Sequence, residues 1–93
     1  MPESTITTRD ALIEQVERLT HENLHTEALI EVATYFQQRD LVTAFEAYLS
    51  EQAEYGYMTE DAIARRDADK VRLLDSIELI SGERDKKVFK SLL

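Results

Sequence analysis

Leu12, Val16 and Leu19 recur at helical spacing near the start of the chain, and their stripe defines the first element. Thr7 is expected to cap this helix, with Asp10 reaching back to it and Ile6 and Ala11 at the positions of a hydrophobic staple. Continuing the stripe calls for apolar residues near 23 and 26, where Asn23 and Thr26 stand. Apolar positions resume out of phase at Leu24, Ala28 and Leu29. The phase change predicts a break across His21–His25 and a second helix, capped by Asn23 or Thr26, that runs to about Arg39. Leu29, Ile30, Val32, Ala33, Tyr35 and Phe36 cover most of its circumference, so it is expected to be the most buried element.

Asp40 is the expected N-cap of a third helix with Leu41, Ala44, Phe45, Tyr48 and Leu49 on its inner face. Gly56 can take the left-handed conformation that closes a helix after Tyr55. Thr59 then caps a fourth helix, with Glu60 and Asp61 at its positive end. Its apolar positions are Ile63, Val71, Leu74, Ile77, Leu79 and Ile80, while the span Arg65–Lys70 is almost wholly polar and is expected to face solvent or a partner. Ser81-Gly82 stops this helix. Val88, Phe89, Leu92 and Leu93 predict a short terminal helix that docks in cis or enters a partner's groove.

Composition fixes the class. Two glycines and one proline in 93 residues are too few for the many tight turns of an all-β domain, and strong helix formers dominate. The expected fold is all-α, a compact bundle of four to five short helices, with residues 1–6 as an N-terminal tail and 7–93 as a single helical domain. Leu12, Val16, Leu29, Val32, Phe36, Leu41, Phe45, Tyr48, Leu74 and Ile77 form its expected core. No repeat of 20–50 residues runs through the chain.

Tyr35-Phe36-Gln37-Gln38-Arg39-Asp40, followed by Ala44, Phe45, Glu46, Ala47 and Tyr48, resembles the turn and second helix of a tetratricopeptide repeat. That family implies a right-angled helix pair and a peptide-binding groove. The likeness covers about 14 residues and has no second copy 34 residues later. We read it as a shared solution for two tightly packed helices.

Charge separates the chain into two parts. Residues 1–64 carry 13 Asp and Glu against 3 Arg, a balance of −10, and residues 65–93 carry 8 Lys and Arg against 6 Asp and Glu, a balance of +2. Between Asp40 and Ala64 there is no Lys or Arg at all. Such a field attracts basic protein surfaces and repels a phosphate backbone, so direct nucleic-acid binding is not expected. For the same reason a ribbon-helix-helix reading of Ser4-Thr5-Ile6-Thr7 as a DNA-reading strand is disfavoured. The lack of cysteine excludes disulfides and cysteine-ligated metal centres. The N-terminal residues lack a signal-peptide pattern, and no apolar run approaches the ~20 residues of a membrane span. The expectation is a soluble cytoplasmic protein that does not engage membranes.

His21-Glu22-Asn23-Leu24-His25 matches the His-Glu-x-x-His pattern of zinc peptidases. That chemistry requires one continuous helix, which puts both imidazoles on one face to hold zinc while the Glu acts as general base. There is no third His, so a third ligand would have to be a carboxylate such as Glu46 or Glu51. Glu27 falls where those families place an apolar residue, and the hydrophobic phase breaks inside the motif. No cysteine nucleophile, Gly-rich phosphate loop or Gly-x-Ser-x-Gly elbow is present. We therefore expect no enzyme activity, no catalytic residues, no cofactor and no metal site, with a small zinc hydrolase as one alternative.

A protein-binding surface is the stronger expectation. Tyr55, Tyr57 and Met58 cluster around Gly56 within the most acidic stretch, which also carries Glu46, Glu51, Glu54, Glu60 and Asp61. Tyrosine suits interfaces because it offers area and a hydroxyl at small entropic cost. These eight residues are the expected contact set for a partner with a basic surface. The protein then acts as a small regulator, inhibitor or complex subunit. A second alternative uses the acidic face as a nucleic-acid mimic that blocks a DNA- or RNA-binding protein.

Overall fold

The computed structural model describes residues 8–93. Five helices follow one another: α1 (Arg9–His21), α2 (His25–Tyr35), α3 (Arg39–Tyr55), α4 (Glu60–Ser81) and α5 (Glu83–Leu92). Among the described residues there is no strand, so the fold is an all-α bundle as the composition requires. The expected staple through Ile6, the cap at Thr7 and the tail 1–6 lie outside the described residues. Thr8 caps α1, its hydroxyl accepting the Ala11 amide at 3.2 Å.

The first two connections are conformational copies. After α1, Asn23 sits in the left-handed region at φ 62°, its amide donates to the Thr20 carbonyl at 3.1 Å, and the Leu24 amide reaches the Leu19 carbonyl at 2.8 Å. After α2, Gln37 takes φ 59°, donating to Thr34 at 3.1 Å, and Gln38 donates to Ala33 at 2.8 Å. Both are Schellman helix ends. In each, the residue that completes the motif serves at once as the N-cap position of the next helix, at φ −96°, ψ 63° for Leu24 and φ −91°, ψ 76° for Gln38. This corrects three expected boundaries. Neither Asn23 nor Thr26 caps α2, Asp40 lies inside the first turn of α3 rather than at its cap, and α2 stops at Tyr35 instead of about Arg39.

α2 packs against α1, α3 and α4, and it buries Thr26, Ala28, Leu29, Val32 and Ala33, the largest share of any helix. α5 closes the bundle against α4 and α1, with the Phe89 ring edge-on to Phe36 at 5.6 Å and 86° and Arg9 paired to Asp85 at 2.9 Å. All ten expected core residues are buried. Leu19, Ala28, Ala33, Leu73 and Phe89 complete the same cluster. The terminal segment docks in cis through Phe89, with Leu92 and Leu93 half-buried against the core.

Gly56 closes α3 at φ 83°, and Thr59 caps α4 by accepting the Ala62 amide at 3.1 Å, both as expected. Gly82 turns the chain between α4 and α5 at φ 100°, ψ 172°, a region that only glycine adopts without strain. The apolar face of α4 differs from expectation. Ala62, Leu73, Leu74 and Ile77 point inward, whereas Ile63, Val71, Leu79 and Ile80 are exposed. α2, α3 and α5 all pack against α4, so the buried arc is set by several neighbours and not by one stripe.

The polar span Arg65–Lys70 does not simply project into solvent. The Tyr48 hydroxyl donates to Asp69 at 2.7 Å, and Arg72 pairs with the same carboxylate at 3.0 Å. Arg66 donates to the Thr26 hydroxyl at 2.8 Å and contacts the Met58 sulfur at 3.1 Å. These bonds tie α4 to α2 and α3.

Candidate functional site

The connection between α3 and α4 is built unlike the first two. It is longer, it turns at a glycine, and it leaves two aromatic rings uncovered. Tyr55 ends α3 with 58% of its surface exposed, and Tyr57, beyond the left-handed Gly56, is 63% exposed. Met58 is half-buried, packs against the core cluster and accepts at sulfur from Arg66, so it anchors the turn more than it extends the exposed face. The turn therefore has one inward foot and two outward rings.

Glu51, Glu54, Glu60 and Asp61 flank this turn along the chain, and Glu46 lies about two and a half helical turns before Tyr55. On α3 the buried positions Leu41, Phe45 and Tyr48 define the inner face, which leaves Glu46 and Glu54 on the outside and Glu51 half-buried on one flank. Glu60 and Asp61 are exposed in the first turn of α4, where the helix dipole favours carboxylates. Asp61 is paired with Arg65 at 2.8 Å. Glu46, Glu51, Glu54 and Glu60 take part in no ion pair among the described residues. All eight expected contact residues thus reach the surface at least in part, Glu51 and Met58 being half-buried, and seven of them lie within about one helical turn of the α3–α4 connection while Glu46 lies further along α3.

Tyr48, on the inner face of α3, is contacted from several sides. Its ring tilts against Phe45 at 6.4 Å, the Arg65 guanidinium lies 6.0 Å from its centre, and its hydroxyl bonds Asp69. Burial, followed by the bond to Asp69 and that carboxylate's charge, pushes the phenol upward from its ordinary value, while Arg65 and Arg72 oppose the shift. Sequence reading missed this Tyr48–Asp69 link because it joins positions 21 apart through the packing of two helices.

The two histidines of the zinc-peptidase match are on different helices. His21 is the last residue of α1, His25 the first of α2, and Glu22 and left-handed Asn23 form the helix end between them. The break expected from the hydrophobic phase is present, and the single helical face that zinc chemistry requires is not. Among the described residues no three His, Asp or Glu side chains are placed to hold a metal ion. The motif's actual physical role is to end a helix.

Among the described residues no helix is long and apolar enough to cross a membrane. The class defined by the fold is a small five-helix bundle with an exposed tyrosine turn on its acidic side. Comparison with protein families, with curated proteins and with solved structures found no match to this chain.

Proposed function

We propose that the protein is a non-enzymatic adaptor or regulator that docks the α3–α4 turn onto a basic surface of another protein. The observation that carries this reading is the pair of exposed rings, Tyr55 and Tyr57, close along the chain to Glu51, Glu54 and Glu60, which take part in no ion pair among the described residues. Exposed aromatic anchors within a charged rim are the usual composition of an interface centre and its periphery. The carboxylates speed encounter and select basic partners, while the rings supply the contact that holds the complex. Charge mimicry of nucleic acid uses the same carboxylates but gives the two rings no role, so protein docking accounts for more of the surface.

Affinity capture with the purified protein tests this directly when run beside a Tyr55→Ala, Tyr57→Ala variant. The expected result is one or more basic proteins retained by the parent, lost by the variant, and released by salt. Partners that bind nucleic acid and are displaced by added DNA would favour the mimic instead. Retention that is identical for parent and variant would contradict docking through this turn.

A further inference from the structure

Among the described residues, Arg9, Arg18, Arg65, Arg72, Lys86 and Lys87 each reach a carboxylate. Arg39, Arg84 and Lys90 reach none, and all three are exposed, where water compensates them. Arg66 and Lys70 also take part in no ion pair among the described residues, yet both are half-buried. They stand one helical turn apart on α4, so the two charges share a face. Withdrawing like charges from water side by side is unfavourable unless an opposite charge joins them. The chain has 19 Asp and Glu to draw on, and none of the described ones is set against this pair.

Both side chains line a groove of about 260 Å³ together with His25, Leu29, Asp67 and Leu93. The Arg66 guanidinium is fixed on one side, where Nη1 donates to the buried Thr26 hydroxyl at 2.8 Å and meets the Met58 sulfur at 3.1 Å. Its Nε and Nη2 make no hydrogen bond to the described residues. No carboxylate lining the groove, the exposed Asp67 included, lies within ion-pair distance of Arg66 or Lys70. Leu29 and the half-buried Leu93 add an apolar wall. We propose that this groove binds a small phosphate monoester, with the phosphate on Arg66 and Lys70, the His25 imidazole as a further donor, and the organic part against Leu29 and Leu93. A phosphate monoester near neutral pH carries close to two negative charges, which answers two cations at once, whereas a carboxylate answers one. Its oxygens also suit the guanidinium fork and the ammonium together. The overall charge of −8 opposes the approach of an anion, but salt screens that field, and the two cations act at contact.

Amide chemical shifts of the folded protein, followed by NMR in n-butyl phosphate, inorganic phosphate and sodium acetate at constant ionic strength, test the site without reference to the tyrosine turn. The pH is held above the second ionisation of phosphate. Saturable shifts are expected at His25, Leu29, Arg66 and Lys70, with n-butyl phosphate binding several-fold more tightly than inorganic phosphate and acetate most weakly. Lys70→Gln should weaken the ester by about tenfold or more, the loss expected for a charged hydrogen-bond donor. Lys90→Gln, an exposed lysine outside the groove, should leave binding unchanged. Arg66→Lys keeps the charge but loses the planar fork, and it should weaken the ester in the same direction. Circular dichroism checks that each variant stays folded, and the two groove variants give independent readings should one of them unfold. Shifts that never saturate, shifts spread over the lysines of α5, or equal weakening by Lys70→Gln and Lys90→Gln would overturn the proposal. Acetate binding as tightly as the phosphates would overturn the assignment of a dianion. Inorganic phosphate binding as tightly as n-butyl phosphate would overturn that of an ester.

Discussion

α3 and α4 are the two longest helices, and they use their apolar residues in opposite ways. On α3, Leu41, Phe45 and Tyr48 all face inward, and Tyr55 at its end is the one large hydrophobic exposed on it. On α4, three large aliphatic residues, Leu73, Leu74 and Ile77, face the core and four others, Ile63, Val71, Leu79 and Ile80, are exposed. A helix packed mainly on one side declares its core in its periodicity. A helix packed against several neighbours does not, because each neighbour covers a different part of its circumference.

That contrast predicts a steep difference between equal truncations. Phe45→Ala should destabilise the bundle by about 3–5 kcal/mol, because the ring is fully buried and the site collapses incompletely. Leu79→Ala should change stability by less than about 0.5 kcal/mol. Urea unfolding of both variants checks the pair. A comparable loss at Leu79 would show that its exposed face is covered in the folded protein.

The polar seam between α3 and α4 is expected to contribute less than the core and more than the surface. Tyr48→Phe removes the hydroxyl that donates to Asp69 but leaves the ring in place, so the expected loss is about 1–2 kcal/mol. A change near zero in the same urea titration would reduce this bond to a surface contact.

Alkaline pH probes the seam without mutation. Folding raises the Tyr48 phenol above its ordinary 10.0, through burial and then the bond to Asp69. It also raises Lys86 above 10.5, through hydrogen bonds to Asp75 and Glu78 at 3.0 Å. Both groups hold their protons more tightly in the folded state, so their contribution is complete below those values and is lost as pH rises through the raised ones. Thermal stability should therefore fall above about pH 10, and Tyr48→Phe should make the fall shallower. An equally steep fall in that variant would assign the alkaline loss to other groups.

Much of this arrangement was legible where the cause is local. Gly56 and Thr59 end α3 and cap α4 through their own backbone freedom and hydroxyl, and the stripe of α3 requires only one buried face. The break at His21–His25 could be read from a change of hydrophobic phase. Its form was harder to read: Asn23 suits the left-handed position, but Gln37 takes the same conformation without that preference, and both helix ends are closed by backbone bonds. The burial of Leu73 in place of Val71 is not legible in the stripe, because the arc of α4 that faces inward is decided by α2, α3 and α5 together. The inward turn of Met58 depends on Arg66 and Thr26, one of them 32 residues distant, and nothing near it in the chain signals that contact.

The central claim is that the α3–α4 turn grips a basic partner through its rings and attracts it through its carboxylates. Association and dissociation rates against a captured partner, measured across salt concentrations, test both halves at once. Tyr57→Ala should speed dissociation and weaken binding by about 1–3 kcal/mol with little change in the rate of association. Glu51→Lys with Glu54→Lys should slow association and flatten its dependence on salt, since charges at a rim act mainly on encounter. Rates unchanged in both variants would place the interface elsewhere and contradict the account.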